Sequence, residues 1–395
     1  MRLIVATTVA AAAGFALVGT TGANAATAGT SAGWSQAVAE MRAAISHFHG
    51  SVTPDMPQRP ADVTVLASGL NNPRGVAVAQ DGTVYVAIAG RGGRQACFGS
   101  PGQKECGGYT SMVERLLPGE STLRPFVRNF VSIAGPDGSF ATGIDGVAAN
   151  PHGGADFVET SANMPTGIAK ADAQFGRLWY RPRHHHYTEL GNIQQFEFDH
   201  DPDGQGPDSD PYGVADAGAY QVVADAAGND LLKVQGGDVS LLAVLPQITY
   251  TDNHGRTQSL DPVPTCVTQG PDGNFYVGEL GGNGKVRKAS IWRVTPGGSA
   301  TQLYTGFTAI DGIAFDPQGN LYVTELVKHG FGQAGQGDFA GALIRIRPNG
   351  NRVELAKGQL ALPGGLGIGP DGAIYVTTYS LFPGAGQLVR VTPTG

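Results

Sequence analysis

Gly270-Pro271-Asp272-Gly273-Asn274-Phe275-Tyr276-Val277-Gly278-Glu279 decides how the rest of the chain is read. A Gly/Pro/Asp turn leads into a short aromatic and β-branched run, which is the pattern of a hairpin strand. The pattern recurs on both sides. Pro73-Arg74-Gly75-Val76 turns at Asp81-Gly82 into Val84-Tyr85-Val86, and Asp145-Gly146-Val147 turns near Pro151-Gly153 into Phe157-Val158-Glu159. Pro211-Tyr212-Gly213-Val214 leads to Val222-Val223-Ala224-Asp225, and Pro264-Thr265-Cys266-Val267 leads into the quoted stretch. Asp311-Gly312-Ile313 leads to Tyr322-Val323-Thr324-Glu325, and Pro363-Gly364-Gly365-Leu366 leads to Tyr375-Val376-Thr377. These are six units.

Their spacing of roughly 45 to 70 residues suits propeller blades of four strands. Third strands are expected at Ser290–Val294, Ala342–Ile346 and Gln387–Val391, and fourth strands at Thr301–Tyr304 and Arg352–Ala356. The last unit has no room for a fourth. Val63–Leu70 reads like the outer strands Val239–Leu245 and Val353–Leu360, yet precedes the first hairpin. Pairing it with the last unit predicts an all-β, six-bladed β-propeller with ring closure by the N-terminal strand.

The 395-residue chain has a formal net charge of −7 and 60 glycines, and it lacks the basic patch that a nucleic-acid partner requires. Arg2, the apolar run Leu3–Val18 and Ala23-Asn24-Ala25 fit a secretory leader over residues 1–25, with no stable membrane span after its cleavage. Residues 26–62 are read as a flexible lead-in, with a possible short helix from Trp34 to Phe48, and 63–395 as the propeller. The expected product is a secreted monomer. In that compartment Cys97 and Cys106 are expected to form a disulfide, leaving Cys266 buried in an inner strand.

Leu66-Ala67-Ser68-Gly69-Leu70 with Pro73-Arg74-Gly75, Phe175-Gly176-Arg177-Leu178, Asp208 to Gly213, Asp225-Ala226-Ala227-Gly228-Asn229-Asp230-Leu231-Leu232, and Pro262-Val263-Pro264-Thr265 form a more specific combination. In these residues the chain resembles the ScyD/ScyE family of exported propeller proteins, over about Val63–Gly395. The resemblance implies the fold and no settled reaction. More distantly the repeats are similar to NHL-type propellers and to metal-dependent lactonases of the gluconolactonase type. Ile88 departs from the repeat, standing where an acid is expected.

In a meandering blade, the turns joining first to second and third to fourth strands share one face of the disc. Those turns are tight, as at Asp81-Gly82, Asp272-Gly273, Gln318-Gly319, Asp371-Gly372 and Asn349-Gly350. The long insertions, including Gly90–Thr110, Ser161–Gln174, Asp199–Pro211, Pro246–Pro262 and Lys328–Gly341, fall on the opposite face. Loops of variable length on a rigid scaffold serve binding, so a small molecule, glycan or protein is expected there.

Asp225, Glu279 and Glu325 end second strands, and Asp145 and Asp311 begin first strands, so these five carboxylates are expected at the channel mouth. Converging carboxylates repel one another unless a metal or substrate cation sits among them, or unless one is protonated and acts as an acid. Glu279, Asp311 and Glu325 therefore form a candidate site for Ca²⁺ or another divalent cation, with structural bonding to neighbouring blades as the alternative. Asp199, Asp201, Asp203 and Asp210 carry calcium-loop spacing, against which stands a solvated Gly/Pro/Asp turn. Arg181-Pro182-Arg183-His184-His185-His186 is read as a solvated loop. A binding module is the first functional reading, and the second is a divalent-metal-dependent hydrolase or lactonase.

Overall fold

The quoted turn is held by its own acid. In the computed structural model Asp272 accepts hydrogen bonds from Asn274 Nδ2 at 2.7 Å and from the Tyr276 hydroxyl at 3.2 Å. Asp316 serves Asn320 and Tyr322 in the same way, at 2.7 and 3.1 Å. Gly273 and Gly319 take φ of 77° and 78°, which a side chain would resist. The described residues are 58–99, 104–160, 167–168, 171–252, 254–282 and 284–393. The expected leader and nearly all of the expected lead-in lie outside them.

Six antiparallel sheets follow in chain order. Blade 1 consists of Pro73–Val78, Val84–Ile88, Glu105–Leu116 and Arg124–Ala134. Blade 2 consists of Ile144–Ala149, Ala155–Glu159, Arg177–Arg181 and Thr188–Asn192. Blade 3 consists of Pro211–Asp216, Gln221–Asp225, Asp230–Gln235 and Asp238–Val244. Blade 4 consists of Pro264–Gln269, Phe275–Glu279, Ala289–Val294 and Ala300–Phe307. Blade 5 consists of Ile310–Phe315, Leu321–Glu325, Ala342–Ile346 and Arg352–Leu355, with Gln58–Arg59 added in parallel at its edge. Blade 6 consists of Leu366–Ile368, Ile374–Thr378 and Gly386–Pro393, and Ala61–Leu70 pairs antiparallel with the last of these. That outer strand begins at Ala61, two residues before the expected Val63.

Apolar side chains of neighbouring blades interleave at every seam, because both faces of each sheet must be covered. Phe130, Phe157 and Trp179 fill the seam between blades 1 and 2, and Phe275, Val277 and Trp292 help to fill that between 3 and 4. Leu388 of blade 6 packs with Val76 and Val86 of blade 1, and Leu66 and Leu70 of the N-terminal strand join them.

The X-Gly-Val repeat has a steric cause. A Cβ on Gly146 would lie 2.5 Å from the carbonyl oxygen of Tyr212, and one on Gly213 would lie 2.9 Å from Cys266 Cα. A Cβ on Gly365 would meet Gly75 Cα at 2.5 Å. Each inner strand is thus pressed against the backbone of the next. Cys266 interrupts the glycine series, and Gly278 in the adjacent strand leaves room for its thiol, since a Cβ there would stand 2.7 Å from Sγ. Hydroxyl groups bind the blades further: Thr160 donates to Pro211 O at 2.9 Å, Thr324 to Gly364 O at 2.6 Å, and Thr377 to Arg74 O at 2.7 Å.

The insertion-rich face carries structure of its own. Cys97 and Cys106 form a disulfide inside the first insertion. A hairpin of Ile248–Thr251 and Thr257–Leu260 rises between blades 3 and 4. The helix α1, Ile193–His200, links blades 2 and 3, and its N-cap Asn192 accepts from Gln195 N. Among the described residues no helix is long and apolar enough to cross a membrane.

Candidate functional site

The residue before each inner-strand glycine, or before Cys266 in blade 4, occupies the same repeat position. From blade 1 to blade 6 these residues are Arg74, Asp145, Tyr212, Thr265, Asp311 and Gly364, and Asp145, Tyr212, Thr265 and Asp311 among them line the central cavity. Below the glycine level, Val76, Val147, Val214, Val267, Ile313 and Leu366 form an apolar ring. The space between is a cavity of about 60 Å³.

Arg74 and Asp145 form a buried ion pair, Nε to Oδ1 at 3.1 Å, and Arg74 Nη2 donates to Ala141 O at 2.7 Å. Arg74 Nη1 and Asp145 Oδ2 are left without hydrogen-bond partners. Burial lifts the Asp145 carboxyl to about 6, although the Arg74 charge pulls the other way. Burial also raises Asp311, opposed by Arg74 and by the Tyr212 hydroxyl bonded to it. One buried guanidinium therefore bonds Asp145 and acts through its charge on Asp311.

Of the five carboxylates expected at the mouth, the structure brings Asp145 and Asp311 to the channel. Glu279 instead accepts the Trp292 indole N–H at 2.7 Å, within its own blade. Burial pushes its carboxyl up to about 7, and that hydrogen bond opposes the shift. Glu325 accepts from Thr308 N at 2.7 Å, and burial likewise lifts it to about 7. Asp225 takes Ser209 Oγ and Asp210 N, each at 2.6 Å, and the amides of Ala227 and Gly228 at 3.2 Å. The side chains of Glu279, Asp311 and Glu325 are thus engaged in three separate settings.

The second acidic group also divides. Asp199 accepts from Gln195 Nε2 on α1, Asp201 caps that helix with φ of 43°, and Asp203 accepts from Gln205 N and Asn229 Nδ2. Asp210 is buried, and Asp145 and Asp225 add to the burial that raises its carboxyl. Among the described residues no group of three or more His, Cys, Asp or Glu side chains is set to hold a metal ion.

Arg74 and Tyr212 are the channel groups that a search for acids overlooks. Their signal was present, since both occupy the repeat position of Asp145 and Asp311.

Above the channel ring, the connections of blades 4 to 6 pack an apolar layer that includes Leu280, Leu326, Phe339, Leu362, Leu381 and Phe382. Val263 and Ala309, each directly before an inner strand, and Leu362, in the connection leading to the inner strand of blade 6, take φ of 55°, 49° and 44°. Left-handed geometry at side-chain-bearing residues costs of order 1–2 kcal/mol each and clusters at functional surfaces. On the opposite face His184, His185 and His186 are exposed. His186, Tyr187, Arg128 and Arg181 line an open groove of about 310 Å³, where Arg181 stands 4.8 Å from the Phe126 ring centre.

No family profile matches the chain, and no curated protein does. Solved structures share the fold at low identity. A protein of unknown function from Bacteroides thetaiotaomicron is 12% identical, with a TM-score of 0.52 over 85% of this chain and 75% of that one. A glucose dehydrogenase is 14% identical, with a TM-score of 0.51 over 84% of this chain and all of the other. A streptogramin B lyase is 15% identical, with a TM-score of 0.48 over 85% and 97%. The chain is a six-bladed β-propeller whose structural neighbours include dehydrogenases and a lyase.

Proposed function

We propose that the protein is an exported binding module that takes a small molecule, glycan or protein on its insertion-rich face, acting as a monomer. The observation that carries this reading is the asymmetry of the disc: tight glycine turns on one face, and a disulfide-pinned loop, a hairpin and α1 on the other. Rigid sheets holding elaborated loops are the usual platform for recognition. The disulfide fits an extracellular setting, and the resemblance to the ScyD/ScyE family agrees with it.

The competing reading, a divalent-metal hydrolase or lactonase, has the channel in its favour, where Asp145 and Asp311 stand beside Arg74. Its weakness is room. About 60 Å³ admits water or a small ion, far less than the several hundred Å³ of an organic-ligand pocket.

A glycan array and an immobilised-metabolite panel, read with the intact chain and with two variants, test the choice. Opening the first insertion with Cys97→Ser/Cys106→Ser should weaken the strongest hit at least tenfold, while Asp371→Ser on the short-turn face should leave it unchanged. The loop closed by this disulfide contributes about 2–3 kcal/mol in the chain-entropy model, so folding is checked by melting alongside. A hit insensitive to the insertion but lost with Arg128→Ala or Arg181→Ala would move the site to the opposite groove and end this proposal. Lactone hydrolysis abolished by Asp311→Asn would establish the hydrolase instead.

A further inference from the structure

Two carboxylates outside the channel lack any neutralising partner. Glu197 lies on the inner side of α1, and Asp230 opens the third strand of blade 3. Both are fully buried, and none of their four carboxylate oxygens has a hydrogen-bond partner. The charges that act on Asp230 are all of its own sign: Asp225, Glu197 and Asp203. Those acting on Glu197 are Asp225, Asp203, Asp201 and Asp208.

Leaving one buried carboxylate unpaired is costly, and a second of the same charge acting on it adds to that cost. Protonation removes the charge but not the problem, because each new O–H would need an acceptor and the remaining oxygens would still lack donors. A cation satisfies all four oxygens together. The local glycine shows how close the group lies: a Cβ on Gly228 would stand 3.0 Å from the carboxyl carbon of Glu197, which therefore packs tightly against the turn after Asp225.

We propose that Glu197 and Asp230 anchor a calcium site at the junction of blades 2 and 3. The anchoring donors are oxygen alone, which selects a hard cation, and the loop setting suits the flexible six to eight oxygens of Ca²⁺ better than the strict octahedron of Mg²⁺. No third acidic, imidazole or thiol side chain among the described residues completes the set, so backbone carbonyls and water supply the remaining ligands. This differs from the calcium-loop spacing of Asp199, Asp201, Asp203 and Asp210, of which the first three accept hydrogen bonds from Gln195 Nε2, Gly206 N and Gln205 N respectively.

The site's neighbours give it a mechanical role. Asn229, next to Asp230, donates to Asp203 at 2.8 Å, accepts from Val263 N at 3.3 Å, and accepts from Leu245 N through its carbonyl at 2.9 Å. The ion would therefore fasten the connection from blade 2 to 3, the second turn of blade 3, and the connection from blade 3 to 4. All three lie on the insertion-rich face. The assignment stands whether or not that face binds a ligand.

The test uses the intact chain, dialysed against chelator and then titrated with CaCl₂ at pH 7.5, with calorimetry and melting as readouts. Saturable binding of one ion per chain is expected, with a Tm rise of roughly 5 °C at 10 mM if the affinity is submillimolar. Asp230→Asn and Glu197→Gln should each reduce the affinity at least tenfold. The chelated variants should melt no lower than chelated wild type, because each substitution removes a buried like charge. A merely structural hydrogen-bonding role predicts lower melting instead. Equal melting of wild type in CaCl₂ and chelator overturns the proposal, as does an undiminished calcium response in Asp230→Asn. A wild type stabilised at pH 5 with no calcium response would assign the pair to protons and also overturn it.

Discussion

At the scale of single residues, the repeat is written by close contact. Gly146 is glycine because the backbone of blade 3 passes where a Cβ would be. Gly146→Ala should therefore lower stability by about 1–3 kcal/mol in urea denaturation, the usual cost of forcing a methyl into a filled space. Gly297→Ala, where the nearest atom to a new Cβ is 3.8 Å away, should stay within about 0.5 kcal/mol of wild type. Equal effects at the two sites would remove the packing explanation for the X-Gly-Val pattern. Glu279 teaches a second lesson. Its carboxyl is raised to about 7 from an ordinary value near 4.5, so the folded state holds the proton more tightly than the unfolded chain. The resulting stability is complete below about pH 4.5 and is lost as pH rises through about 7, amounting to at most roughly 3 kcal/mol. Denaturation at pH 5 and pH 8 should show wild type losing more stability across that interval than Glu279→Gln. Identical pH dependence in the two proteins would remove Glu279 as a contributor.

At the scale of elements, the hairpins were legible because a two-residue period and Asp/Gly turns act over a few neighbouring residues. The N-terminal strand was legible by likeness to other outer strands, and its partner followed from counting the strands of the last unit. In the structure Ala61–Leu70 runs along Gly386–Pro393, from Ala61 opposite Pro393 to Leu70 opposite Gly386. If this pairing holds the ring shut, deleting residues 61–70 should lower the melting temperature steeply and expose the seam between blades 6 and 1 to protease. A deletion that melts like wild type would show that the inner contacts there, such as Thr377 to Arg74 O, suffice. The helix α1 was missed. Its eight residues sit between Asn192 and the left-handed Asp201, and the surrounding Asp/Pro/Gly pattern suggested only a turn. The Asn192 cap was the available signal.

At the scale of the whole molecule, the six-fold repeat, the net negative charge and the disposition of long and short connections were set by the sequence. These depend on local periodicity, composition and strand alternation, none of which needs the blades to be placed relative to one another. Where the acids point needed the tertiary structure. Asp145 and Glu279 each follow from the repeat, yet one reaches the channel and the other turns to Trp292, because side-chain direction at a strand end depends on which neighbour leaves a donor within reach. The approach of Glu197 to the turn that precedes Asp230 is likewise invisible along the chain, since α1 and that turn of blade 3 come together only in the folded ring. For the stretch Asn274 to Glu279, the sequence settled the strand and its turn. Only the packed ring decided that its final acid is buried against an indole rather than offered to a ligand.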